Sequence, residues 1–193
     1  VTTTNSFRDT RESKTVRPID IDVGALVGWS QTNASLRPAL GAKEVASVYV
    51  VDRRTLAGTD LGAVRLVNGR SLPALGLTVA TARPLYVLGH YNQSNPAKLG
   101  TASTDTTRPA SLVADAVTIL SANWGDAKST LPVGSRTAAP TTVNAAILTG
   151  VVETTLGKYS GGMENFPRFL ETWGAANIFT YNGSMVKMFP SLY

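Results

Sequence analysis

The amino-acid sequence predicts a mainly β fold: an irregular right-handed β-solenoid (β-helix-like) with one or two short helices. A β-sandwich with helical decoration is the alternative. Three observations lead there. Residues 76–92 hold two extended runs, 77–81 and 85–89, each alternating at period 2 with β-branched and aromatic residues. Pro84 cannot continue a ladder and pushes Arg83 into extended geometry, so the chain turns a corner there rather than a hairpin. Elsewhere short strands recur at irregular spacing, with long polar loops on some turns and no clean internal repeat.

The elements follow in order. Residues 1–5 form a Thr-rich tail, frayed or pairing at an edge. Residues 7–17 carry mixed charge and read as a solvated loop with local ion pairs. Residues 19–31 are the first helix, capped by Asp20 or Asp22, with Val23, Leu26 and Val27 as its apolar stripe and Trp29 beside it. Residues 1–42 are thus an N-terminal extension on a single β-rich domain spanning 1–193. Strands are expected at 44–52 and at 63–67, the latter with Val64 and Leu66 inward and Arg65 outward. Asn68-Gly69 marks a turn.

Residues 92–108 and 123–142 are polar loops longer than ordinary connections, a length that signals mobility or function. Between them, residues 109–120 give a loop entering a strand at 114–120. Residues 143–148 are a strand, and 157–162 a glycine-rich turn. Residues 165–173 read as a short helix, capped by Asn165 and stopped by Gly174, that closes one face or end of the core. Residues 178–181 and 184–189 flank Asn182-Gly183 as the arms of a last corner.

Composition narrows function. With 193 residues and 43% hydrophobic, the chain can bury a sizeable core, while charged residues are only 16%, below the usual quarter or so. A surface of hydroxyls and small residues suits an extracytoplasmic protein, secreted, periplasmic or at the cell surface. The net charge of +5 permits an anionic partner, but Arg53-Arg54 is the only adjacent basic pair and no aromatics interleave with bases. Nucleic acid is therefore not an expected partner. The absence of cysteine excludes disulfides, thiolate metal sites and cysteine nucleophiles. No apolar run reaches the length of a membrane span.

Candidate chemistry is sparse. His90 is the single histidine and needs an orienting partner before it can act as a base. No nucleophile elbow, HExxH, Walker loop or dinucleotide fingerprint occurs, so no catalytic, cofactor-binding or metal-binding residues are assigned and no cofactor is expected. Asp20 and Asp22 read as a helix cap rather than a carboxylate pair. Glu164 and Glu171 read as exposed helix acids. Tyr86, Tyr91, Tyr159, Phe166, Trp173, Tyr181 and Tyr193 read as core rather than a sugar-stacking row.

Several phrases of the chain carry a family resemblance. They include Lys14-Thr15-Val16 before Ile19-Asp20-Ile21-Asp22-Val23, then Leu61-Gly62-Ala63-Val64-Arg65-Leu66-Val67-Asn68-Gly69. Pro84-Leu85-Tyr86-Val87, Gly161-Gly162-Met163-Glu164-Asn165-Phe166-Pro167 and Tyr181-Asn182-Gly183-Ser184 continue the pattern. On these the chain resembles an uncharacterised exported bacterial family of pilus-assembly or minor-pilin-like β-helix proteins. The resemblance implies export, a β-helix-like body, a role at the cell envelope or on a pilus, and a longer parent protein; it supplies no catalytic residues.

The leading expectation is a non-enzymatic structural or adhesive module of a cell-surface or pilus-associated protein. Its partners are other protein chains there, copies of itself included. The alternative is a polysaccharide-active enzyme or carbohydrate-binding module on a β-solenoid. For the enzyme the candidate acids are Asp52, Asp60, Asp105, Asp115 and Glu153, with Arg65 or Arg83 nearby.

Overall fold

Alternating apolar residues make short strands here, and prolines, glycines and asparagines make the corners between them. The computed structural model describes residues 1–41, 43–151 and 167–188. Its strands form three sheets.

Sheet A runs in the order β1 (Phe7–Asp9), β2 (Lys14–Asp22), β4 (Leu61–Val67), β6 (Leu85–Leu88), β8 (Val117–Leu120), β11 (Arg168–Phe169). Sheet B runs β3 (Ser47–Val50), β5 (Leu77–Thr81), β7 (Ala110–Val113), β10 (Ala146–Thr149), β13 (Met185–Lys187). Sheet C pairs β9 (Thr141–Asn144) with β12 (Phe179–Asn182), and Tyr91 bridges to Val143 beside it.

The chain passes from sheet to sheet and adds each new strand beside the one laid down on its previous visit. All described strand pairs are therefore parallel except β1 with β2. A β-sandwich is built from antiparallel strands, so its pairing does not fit. The fold is mainly β with few helices, as the sequence predicts.

Register converts period-2 patterns into ladders. On the inner face of sheet A, Ile21, Leu66, Val87 and Ile119 are consecutive partners. On the inner face of sheet B, Val48, Val79, Leu112 and Ile147 are consecutive partners. These two rows meet in the main core. The outer face of sheet A is buried as well. Phe7, Val16, Ala63, Tyr86, Leu120, Trp124 and Leu170 form a second core there. Strands buried on both faces lose the clean alternation of half-buried ones, and all four residues of β8 are buried.

The 77–81 and 85–89 runs and the Arg83-Pro84 corner stand as expected in β5 and β6. Gly76, with φ +89, lets the chain enter β5; a Cβ there would lie 2.0 Å from the Pro109 carbonyl oxygen. The strands at 44–52 and 63–67 are β3 and β4, and Asn182-Gly183 is a corner between β12 and β13.

Several expectations are corrected. Residues 7–17 are not a solvated loop: they supply β1 and the start of β2, and Asp9 is buried. The helix begins later than 19, as α1 (Val23–Thr32), because Ile19–Asp22 pair with Val64–Val67 in sheet A. The Asp22 cap holds, since its carboxylate accepts the Ala25 N–H at 2.7 Å. Within 109–120 there are two strands, β7 and β8, with a corner at residues 114–116. The 143–148 strand divides likewise at Ala145, into β9 and β10. The expected 165–173 helix is absent from its described part, where Arg168–Phe169 is β11 against Thr118–Ile119. The 157–162 turn lies outside the described residues.

Candidate functional site

The outer face of sheet A gathers most of the buried charge. Asp20, Arg65, Tyr86 and Thr118 stand side by side in register across four strands. Arg65 points away from the main core, as expected, yet it is only 3% exposed. Its Nε and Nη2 donate to the two Asp20 carboxylate oxygens at 2.8 Å each. Its Nη1 donates to Asp126 at 2.6 Å, and its guanidinium carbon lies 5.4 Å from the Phe7 ring centre. Trp124 Nε1 also donates to Asp126, at 2.9 Å. Burial alone would lower the Arg65 pKa; the bonds to Asp20 and Asp126 outweigh it and raise the pKa. Beside this cluster the Tyr86 hydroxyl donates to Asp9 at 2.6 Å, and burial pushes its pKa well up. Every charged group in the cluster is engaged by the protein, so the cluster ties β1, β2, β4 and the 123–137 loop together and offers no open coordination to a ligand.

The carboxylates considered for polysaccharide chemistry are dispersed. Asp52 pairs with Arg54 at 2.8 Å, and that guanidinium holds its carboxyl below the usual range. Asp60 pairs with Arg17, and the exposed Asp105 with Lys98. Asp115 sits at the corner between β7 and β8, and Arg83 at the corner between β5 and β6. Glu153 and Glu164 lie outside the described residues. Glu171 is not an exposed helix acid: it is buried and accepts the Ser121 N–H at 2.6 Å and the Ser121 hydroxyl at 2.7 Å. Residues 52, 60, 105 and 115 share none of the pockets described below.

The aromatics considered for sugar stacking face inward where described. Tyr86 and Tyr91 are fully buried. Phe169, Trp173 and Phe179 pack edge to face, 5.3–5.8 Å apart, and Tyr181 stacks on Phe179 at 6.2 Å. Tyr159, Phe166 and Tyr193 lie outside the described residues.

His90 follows β6 and is half-buried. Its Nδ1 accepts the Thr142 N–H at 3.0 Å, which fixes the ring nitrogen as an acceptor. Burial, and then the nearby Arg70, hold its pKa below the ordinary histidine value. The unfolded chain therefore binds a proton more readily than the native one. Stability from this group is present above the unfolded histidine pKa, about 6.5, and falls as pH drops below it. A His90→Asn variant keeps an acceptor near Nδ1 but cannot titrate. It is expected to unfold with a weaker acid dependence between about pH 7 and pH 5 than the parent. Equal pH slopes in denaturant unfolding would refute this role.

Next to His90 the Asn92 carboxamide anchors the 92–108 loop. Asn92 is 3% exposed with φ +57. Its Nδ2 donates to the Arg108 carbonyl at 2.7 Å and the Asn144 carbonyl at 2.8 Å; its Oδ1 accepts the Arg108 N–H at 2.8 Å. Asn144 donates back to the Asn92 carbonyl at 3.0 Å, and Asn182 donates to the Asn144 Oδ1 at 2.6 Å. Three successive asparagines thus form a ladder at one corner of the fold.

The anchored loop walls a polar pocket of about 210 Å³ against the turn at residues 69–72. Arg70 and Arg108 line it with Ser71, Ser94 and Thr106. Sequence reasoning marked the loop by its length but not Arg70, because a lone arginine after an Asn-Gly turn has no distinguishing pattern. A larger apolar groove of about 420 Å³ runs between α1 and Val1, beside Trp29. Its one charged side chain, Asp22, is already the helix cap.

These features define a mainly β protein of parallel strands, with one sheet covered on its outside and a basic pocket at the foot of an anchored loop. No protein-family model, no curated protein and no solved structure matches the chain. Among the described residues no helix is long and apolar enough to cross a membrane, and no group of three or more His, Asp or Glu is placed to hold a metal ion.

Proposed function

We propose that the chain is a non-enzymatic structural or adhesive module of an exported, cell-surface or pilus-associated protein. Its body is read as a right-handed β-solenoid and its partners as other protein chains, copies of itself first. The order of the parallel strands supports the solenoid, since from β2 onward the chain lays one strand on sheet A and then one on sheet B, and its last two circuits add one to sheet C as well. The right hand follows from the general rule for parallel crossovers.

One observation carries the assembly. The outer face of sheet B bears an apolar row in register: Tyr49, Ala80, Val113, Leu148 and Val186. The row ends at the two edge strands, β3 and β13, where Tyr49 is 70% exposed and Val186 43%. The free edges of a parallel sheet present matching backbone donors and acceptors to each other. A second copy set end to end would extend both the ladder and the row. Such a contact is head-to-tail and generates filaments or rings.

Sedimentation over a concentration series tests this. The parent protein is expected to form concentration-dependent oligomers, and Val186→Lys or Tyr49→Lys to shift it toward monomer, because an edge lysine opposes strand addition. A parent that stays monomeric at its highest soluble concentration would end the reading.

A further inference from the structure

We infer that the Arg70–Arg108 pocket binds a negatively charged sugar residue of an acidic polysaccharide, through a carboxylate or a sulfate ester. Neither arginine has a carboxylate within ion-pair distance among the described residues. Arg70 spends its guanidinium on two long bonds to carbonyls, 3.4 Å to Gln93 and 3.3 Å to Ser94. Arg108 is exposed, and its chain position is fixed by its backbone bonds to Asn92 rather than by its side chain.

The two charges are felt by neighbours: Arg70 lowers the His90 pKa after burial does, and Arg108 adds to the bonds from Gln31 and Ala74 that lower Glu44. That carboxylate is itself occupied by those bonds, to the Gln31 amide and, at 2.5 Å, the Ala74 N–H. Those neutral donors keep Glu44 ionised, so its one negative charge stands against two guanidinium charges, and Glu44 does not line the pocket. Two guanidinium forks matched to planar or tetrahedral oxygens are the usual recognition of such anions.

The Ser71 and Ser94 hydroxyls line the same pocket and are exposed, so they can bond to sugar hydroxyls. The Thr106 hydroxyl is already given to Gln93. The pocket is smaller than the roughly 300–1,000 Å³ of a drug-sized site, which suits one ring of a polymer rather than an extended ligand. No aromatic among the described residues lines it, so it lacks the stacking platform of a nucleic-acid strand. The backbone of the pocket is held in advance by Asn92, which lowers the ordering cost of binding.

The test uses the whole chain titrated separately with polygalacturonate, chondroitin sulfate, neutral dextran and single-stranded DNA. Arginine side-chain Nε–H signals in NMR report which residues respond. Polygalacturonate or chondroitin sulfate is expected to shift Arg70 and Arg108, and their relative strength tells carboxylate from sulfate. Dextran should shift neither. Arg108→Gln is expected to weaken binding about tenfold or more, as the loss of a charged hydrogen-bonding partner does. An Arg53→Ala/Arg83→Ala control, which removes two charges elsewhere, should leave it within about twofold.

Arg70→Lys keeps the charge without the fork and should fall between. If Arg70→Lys fails to fold, Arg108→Gln decides alone, because the Arg108 side chain makes no hydrogen bond among the described residues. Equal weakening in Arg108→Gln and the control, DNA binding as tight as polygalacturonate, or no shift with any polyanion would each overturn the inference. None of these outcomes depends on whether copies assemble end to end.

Discussion

Arg65→Ala is expected to destabilise the protein by about 3–5 kcal/mol, the cost of leaving one side of a buried ion pair uncompensated. Arg65 neutralises Asp20 with two 2.8 Å bonds and reaches Asp126 from the same fork. Asp20 lies in β2 and Asp126 in the loop over sheet A, so one side chain joins β2 to the cover of the sheet. Without it, the Asn5 amide is the one hydrogen-bond donor left to the Asp20 carboxylate among the described residues.

Removing both partners should cost less than the two single losses together. Asp20→Ala/Arg65→Ala is therefore expected to fall short of additivity by about 1–3 kcal/mol. Urea unfolding of the four proteins completes the cycle. Strict additivity, or a loss under about 1 kcal/mol in Arg65→Ala, would mean that solvent reaches the pair and screens it as it does at a surface.

The second large effect is expected at Asn92. Asn92→Ala removes three hydrogen bonds at once and leaves the Arg108 N–H and two carbonyls without that partner. Each buried group left unpaired costs about 1–3 kcal/mol. The alanine must also hold φ +57, where asparagine and glycine are at ease and alanine is not. The total is expected near 3–5 kcal/mol.

Asn92→Gly relieves the backbone term and should recover about 1 kcal/mol of that loss. Amide exchange gives the local readout, in which Arg108 and Asn144 should lose protection more than β5 or β6. Uniform loss across the sheets would mean that the asparagine ladder has no local role. A loosened loop would also disperse the two arginines, so Asn92→Gly is predicted to weaken acidic-polysaccharide binding although the Asn92 carboxamide is already bonded to Arg108 and Asn144.

The sequence by itself determined the elements whose signals are local. Pro84 broke the ladder between β5 and β6 because it has no N–H to give and restricts the residue before it. Asp22 capped α1 because a carboxylate one residue before a helix satisfies free N–H groups. Asn182-Gly183 turned a corner as its turn-forming residue types predict.

What only the tertiary structure decided is the second face of sheet A. The charges of residues 7–17 suggest solvent, yet Asp9 is buried because Tyr86, seventy-seven positions away, donates to it. Asp20 reads as a cap until Arg65 stands opposite in register. Residues 165–173 carry helical spacing, but Phe169 instead pairs with Ile119 and packs against Phe179. The basic pocket has the same origin: Arg70 and Arg108 meet because Asn92 folds its loop back onto the 69–72 turn. Parallel strands take their partners from stretches far along the sequence, so the burial of a charge and the meeting of two arginines are properties of register, which no local pattern encodes.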